Sequence, residues 1–465
     1  MTNHYASEPD TVRRADVYRA VWRWHFYAGL LVLPFMILLA VTGGLYLFHN
    51  EIENAWYRDL RYVQPAGTPA LAPSALTEAA LRAHPGTLAK YVPPAAPDAA
   101  AQAVIKPASG DSLSVYVNPY SGQVLGALPE HGTLMWTIRR LHSLDYFGPI
   151  ANGAIEIAAG WSILLVLTGF YLWWPRGRRQ GVVSVRGTPG KRVFWRDVHA
   201  VTGAGVGLFI LFLACTGMPW SIVWGGKVNQ WANGSNFGYP AGVRVAVPMS
   251  DEHLAHMGQT TWSLEQARMP ESSPHHGMGQ PQMGQPNMSQ PIGLDAAVER
   301  FDRLGMAPGY AINVPHGAAG VYTASAYPND LSRQRVVHLD QYSGKPLLDM
   351  SYADYGPLGK TLEWGINVHM GQEFGLANQL ILLAACLGMV LLSVAGGIMW
   401  WKRRPQGELG IPPMPAARGA LRGVLVLMIV GGIVFPLVGA SLLVMLALDL
   451  LVQRRTRVDT QPYRV

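Results

Sequence analysis

Four apolar runs decide what this chain can become. Phe26 to Phe48, Ala151 to Trp174, Ala200 to Val223 and Leu376 to Trp401 are stretches of 23 to 26 residues, each nearly free of charge. About 20 such residues cross a bilayer as a helix, whose backbone groups satisfy one another where water is absent. A fifth apolar region, Gly423 to Val452, runs for 30 residues with Pro436 near its middle. At about 1.5 Å per residue it overshoots a bilayer as one helix, so it is expected as a hairpin.

The net charge of +7 does not point to nucleic acid, because the basic residues gather at the ends of the apolar runs. Arg13, Arg14, Arg19 and Arg23 precede the first run, Arg176, Arg178, Arg179, Lys191, Arg192 and Arg196 fill the linker after the second, and Lys402, Arg403 and Arg404 follow the fourth. Such ends face the cytoplasm, which places both termini inside. With about 25 residues ahead of it, the first run reads as a retained anchor and not as a signal core. The two cysteines, Cys215 and Cys386, both lie within runs. The outward segments therefore hold no disulfide framework and no thiolate cluster.

The expected division is a cytoplasmic N-terminal segment 1–24, a first span 25–49, an outward domain 50–150, a second span 151–174 and a cytoplasmic linker 175–198. A third span 199–224, an outward domain 225–375, a fourth span 376–401, a linker 402–420, a membrane hairpin 421–452 and a tail 453–465 follow.

A unit is used twice. Ser114-Val115-Tyr116-Val117 leads to the turn Asn118-Pro119-Tyr120-Ser121-Gly122, and Val336-Val337-His338-Leu339-Asp340 leads to Gln341-Tyr342-Ser343-Gly344, each an alternating strand ending in a turn signal. Downstream, each copy reaches a histidine, His142 or His369, with a glycine six residues later, Gly148 or Gly375, and then a span closing on Trp173-Trp174 or Trp400-Trp401. His25 is followed by Gly29 and by Thr42-Gly43, and His199 by Gly203 and Thr216-Gly217 at the same offsets. The repeat predicts a pseudo-symmetric four-helix core. The segment 249–290, with His253, His256, His275, His276, Met257, Met278, Met283 and Met288 among Gly, Pro, Gln and Ser, breaks it and is too polar to bury a core.

Histidine in or beside a span is rare, because its ring needs a partner where water is absent. His25 and His199 fall near the cytoplasmic ends of the first and third spans, and His142 and His369 near the outer ends of the second and fourth. Two helices offering one imidazole each at one depth suit a bis-histidine haem iron. In a helix +4 and +18 return to nearly one face, so Gly29 and Gly43 share a stripe with His25, as Gly203 and Gly217 do with His199, leaving room for a flat macrocycle. The plainer alternative is that the glycines serve helix packing and the histidines bond at the interface. His49 has no counterpart in the repeat and offers a substitute outer ligand. Tryptophans at the cytoplasmic boundary are explained by the aromatic belt. In the polar insert, His275, His276, Met278, Met283 and Met288 combine imidazole and thioether, a set suited to Cu(I), with a flexible spacer as the alternative.

The segment Trp22 to Phe48 (WRWHFYAGL to TGGLYLF), its echo from Trp195 to Gly217, the Tyr-Ser-Gly hairpins and the helix ends TGFYLWWPRGRR and GGIMWWKRRP resemble the PepSY-associated transmembrane proteins. The resemblance implies a mainly α-helical membrane protein with a four-helix core, a C-terminal helical hairpin and two α/β PepSY-like periplasmic domains. It implies placement in a bacterial inner membrane and a part in iron acquisition, since some members look like haem-containing ferric-siderophore reductases. The family's histidines carry over to His25, His142, His199 and His369, with two b haems as cofactors. The partners would be the lipid bilayer, a ferric siderophore or other ferric chelate, and an external electron donor, a quinol or a cytoplasmic reductase. No nucleotide-binding fingerprint occurs in the chain. A second class also fits: a non-enzymatic membrane protein whose outward domains bind a partner or a metal such as copper.

Overall fold

The computed structural model describes residues 8–175, 181–234, 248–254, 264, 267–273, 290–415 and 418–458. In chain order the helices and strands are α1 (Glu8–Tyr46), α2 (His49–Trp56), α3 (Arg58–Arg61), α4 (Pro73–Ala83), β1 (Thr87–Val92), β2 (Ala101–Lys106), β3 (Leu113–Val117), β4 (Val124–Pro129), α5 (Leu134–His142) and α6 (Pro149–Trp173). There follow α7 (Arg192–Gly217), α8 (Trp224–Gly234), β5 (Met249–His253), β6 (Arg268–Pro270), α9 (Gly293–Arg303), β7 (Ala311–Asn313), β8 (Val321–Ala326), β9 (Arg335–Asp340) and β10 (Pro346–Ser351). The chain closes with α10 (Pro357–His369), α11 (Gly375–Trp401), α12 (Arg418–Val434) and α13 (Pro436–Val458).

Four helices are long and apolar enough to cross a membrane, at Ala15–Tyr46, Pro149–Trp173, Arg192–Trp220 and Gly375–Trp401. They match the four runs, although α1 begins well before its apolar stretch: Pro9 suits a first helical turn, and Arg13, Arg14 and Ala15 are good helix formers. The fifth region breaks into α12 and α13 at Phe435, just ahead of Pro436, where the ring removes a donor and starts a new helix.

The chain divides into two compact units, one of spans and hairpin (Met1–Leu47, Arg140–Val228, Leu380–Val465) and one of the intervening segments (Phe48–Arg139, Asn229–Gln379). In the span unit Ala40, Val166, Ile210, Cys386 and Met389 bring α1, α6, α7 and α11 into one apolar cluster. The hairpin packs on α1 and α6, where Ala28, Trp161, Leu164, Met428 and Val438 are buried together and Trp161 Nε1 donates to Ser441 Oγ (2.8 Å). Gly160 permits this approach, since a Cβ there would stand 2.5 Å from Val438.

The other unit is less helical than the expected fold class implies. The two intervening segments share one sheet, β10-β9-β8-β7-β1-β2-β3-β4, joined where Lys90 and Tyr91 of β1 pair antiparallel with Asn313 and Ile312 of β7. Each copy supplies four strands, and the junction removes one exposed edge from each. Helices α4 and α9 cover one face, burying Leu76, Tyr91, Ile105, Phe301, Ile312 and Leu339 in a core drawn from both copies. Alternation along β9 sends Val337 and Leu339 into that core and Val336 to the opposite face, among Leu348, Met350 and Tyr355. The Tyr-Ser-Gly turns are alike: Asn118 Oδ1 accepts from Tyr120 N (2.9 Å), Asp340 Oδ1 from Tyr342 N (3.0 Å), and Gly122 and Gly344 take φ of +71° and +64°.

Candidate functional site

Three of the four predicted histidines lie in the span unit, and each is held in the same way. His25 on α1 bonds through Nδ1 to Thr168 Oγ1 of α6 (2.9 Å), and that hydroxyl already donates to Leu164 O (2.8 Å). With the hydroxyl proton committed, Nδ1 is the donor and Nε2 keeps the lone pair. His142, the last residue of α5, bonds through Nδ1 to Thr42 Oγ1 (2.8 Å), whose own proton goes to Leu38 O (2.6 Å). His199 Nδ1 donates to Leu392 O of α11 (3.0 Å). Three imidazoles therefore carry an N–H on Nδ1 and offer Nε2, the tautomer a metal-ligating histidine adopts when its other nitrogen is anchored.

His25 and His199 come together, with ring centroids 6.5 Å apart and planes at 85°. Two metal–nitrogen bonds of about 2 Å, with the half-width of each ring, set ligating imidazoles roughly 6 Å apart. The spacing fits a shared ion. His142 belongs to the span unit while His369, ending α10, belongs to the other unit, so the pairing of those two rests on the repeat. His49 opens α2. His275, His276, Met278, Met283 and Met288 lie outside the described residues, as does most of 249–290. Among the described residues no three His, Cys, Asp or Glu side chains gather as a metal site.

The glycines divide by role. A Cβ on Gly43 would sit 3.3 Å from the His142 ring, and one on Gly29 would meet nothing within 4 Å. Gly203 faces Leu392 at 3.3 Å, so its missing side chain admits α11, and Gly217 ends α7. Sequence reasoning missed two others. Cβ atoms on Gly169 of α6 and Gly396 of α11 would each lie 3.3 Å from His25 and His199 respectively, so each ring approaches a neighbouring helix where a side chain is missing. Their signal was available: each glycine stands four residues before the first tryptophan of its pair, and Thr168-Gly169 repeats the Thr42-Gly43 doublet.

The polar surroundings are also built. Asp197, two residues before His199 and 0 % exposed, accepts from Arg186 Nε (2.7 Å) and Arg196 Nη2 (2.7 Å). Arg23 donates to Pro412 O, Trp173 Nε1 to Val182 O (2.9 Å) and Trp400 Nε1 to Leu409 O (2.9 Å), which gives several boundary side chains a role in fastening the linkers. Glu156, inside the second span and 2 % exposed, accepts from the backbone of Val223 (2.8 Å) and Trp224 (3.2 Å) and so caps α8.

A duplicated pair of spans with anchored imidazoles inside the bundle defines a polytopic membrane protein with internal symmetry. The family model for the PepSY-associated TM region matches residues 22–403. The chain belongs to that family. Among curated proteins none matches it.

Proposed function

We propose that this protein carries haem and passes electrons across a bacterial inner membrane to a ferric siderophore or other ferric chelate, in iron uptake. The observation that carries the reading is the 6.5 Å separation of His25 and His199, together with the anchoring of both Nδ1 atoms. A half-buried imidazole pair, each ring held by its Nδ1, would suit a haem iron. Bound haem b supplies one-electron redox chemistry. His25 and His199 would hold one such group through Nε2, while Thr168, Gly169, Gly396 and the Leu392 carbonyl position the rings. A second is assigned by the repeat to His142 and His369, with Gly29, Gly43, Gly203 and Gly217 as the small residues of the stripe. The apolar cluster of Ala40, Val166, Ile210 and Met389 keeps water from the bundle between the levels. The donor is a quinol or a cytoplasmic reductase, and the basic span ends support an orientation with both termini in the cytoplasm.

The test is the absorption spectrum and haem count of the purified protein. A Soret band with sharp reduced α and β bands and two haems per chain is expected, falling by one in His25→Ala and in His199→Ala. A colourless protein ends the reading and leaves the non-enzymatic, partner- or metal-binding class.

A further inference from the structure

The segment that links each outer histidine to the following span has the same construction in both copies. After His142 come Ser143 and Leu144, and after His369 come Met370 and Gly371. The second residue after each histidine is left-handed, Leu144 at φ +54° and Gly371 at φ +75°. Gly148 and Gly375, six residues after the histidines, are left-handed too, at +87° and +57°. Glycine takes such angles freely and leucine does not. Among the described residues Leu144 is the one non-glycine with positive φ, so something outside the residue must hold it there.

An asparagine in the first turns of each span bonds back to this segment. Asn152 Nδ2 donates to Ser143 O (3.0 Å) and Asn378 Nδ2 donates to Val368 O (3.0 Å). The Val368 carbonyl lies in the peptide that joins His369, and the Ser143 carbonyl in the peptide that joins Ser143 to Leu144, one further on from His142, so in each copy backbone within one residue of the histidine is tied to the span. Both asparagines stand in the same short text, Ile150-Ala151-Asn152 and Leu376-Ala377-Asn378. Asn378 is 5 % exposed, and its Oδ1 is buried without a hydrogen-bond partner. A buried amide left half unsatisfied is unfavourable beside the apolar residue that a span would otherwise carry, and its presence needs a reason.

We infer that Asn152 and Asn378 are positioning residues that lock the backbone of the outer histidines to their spans and thereby set the ligand geometry of the outer haem. This rests on the haem reading above. Without the lock the turn relaxes, most readily at Leu144, and His142 leaves the place that Thr42 and Gly43 define for it.

The isosteric variants Asn152→Asp and Asn378→Asp remove the donor and keep the shape, and Asn152→Ser and Asn378→Ser serve if an aspartate prevents folding. In redox titrations followed by absorbance, one of the two midpoint potentials is expected to move while the other stays. The reduced variants should bind carbon monoxide at about half of their haem, where the bis-histidine wild type binds little. A role in stability alone would lower the melting temperature and move neither reading. Haem-loaded variants with both potentials and carbon monoxide binding at wild-type values overturn the inference and leave the haem reading intact. A wild-type protein without haem overturns both.

Discussion

In the sheet unit the two copies of the repeat meet through backbone, β1 against β7, whereas in the span unit they meet through side chains, His25 beside His199. The sheet junction satisfies edge groups and lets both copies fill one core with Leu76, Ile105, Phe301 and Leu339. The helical junction anchors both rings through Nδ1 and gives them room beside Gly169 and Gly396. The same duplication thus yields a packed apolar interior in one place and a facing pair of anchored imidazoles in the other. Loss of apolar volume should hurt the first and gain of volume should hurt the second.

The largest expected effect sharpens that contrast. Gly169→Leu or Gly396→Leu places atoms where His25 or His199 lies; on the proposed haem reading one haem should be lost outright from the purified protein, with amide exchange in the sheet unchanged. Retention of both haems would show that the rings have slack. Phe301→Ala does the reverse: it empties a fully buried site in the sheet core and should lower stability by about 3–5 kcal/mol, read by denaturant titration, without moving the haem spectrum.

A third effect depends on pH and should be confined to the sheet. His338, 1 % exposed and bonded through Nδ1 to Thr323 Oγ1 (2.8 Å), has its pKa lowered to about 4 by desolvation. The fold accepts the neutral ring, while the unfolded chain takes up a proton near pH 6.5. The associated stability is complete above that value and lost as pH falls from about 6.5 to about 4, by roughly 3 kcal/mol in all. His338→Gln should flatten the profile over that window, and an unchanged slope would assign it to other groups. The smallest effect compares the copies directly. Gly122→Ala and Gly344→Ala force a Cβ into left-handed turns and should each lower stability by about 1 kcal/mol, with a clear inequality showing that the two hairpins are not equivalent.

Much of this was legible in the sequence where the cause is local. The spans follow from run length, the hairpin break from Pro436, and the twin turns from Asn118 and Asp340 with their glycines. The family follows from the order of these motifs. What escaped depends on distant partners. Nothing near Lys90 or Asn313 announces that β1 and β7 pair across more than two hundred residues. The anchors of the histidines come from other helices, so Thr168, Gly169, Gly396 and the Leu392 carbonyl emerge only when the chain is folded. The sequence gives no sign of a role for Glu156, because its partners are backbone groups at the start of α8.

The seam between the copies in the sheet is only two residue pairs in register, Lys90 with Asn313 and Tyr91 with Ile312, beside five pairs between β1 and β2 on one flank and three between β7 and β8 on the other. Force applied across the sheet concentrates at its middle, the narrowest ligature in the fabric. Under load the sheet parts there first, into two four-stranded leaves that each keep a helix, α4 or α9, as backing.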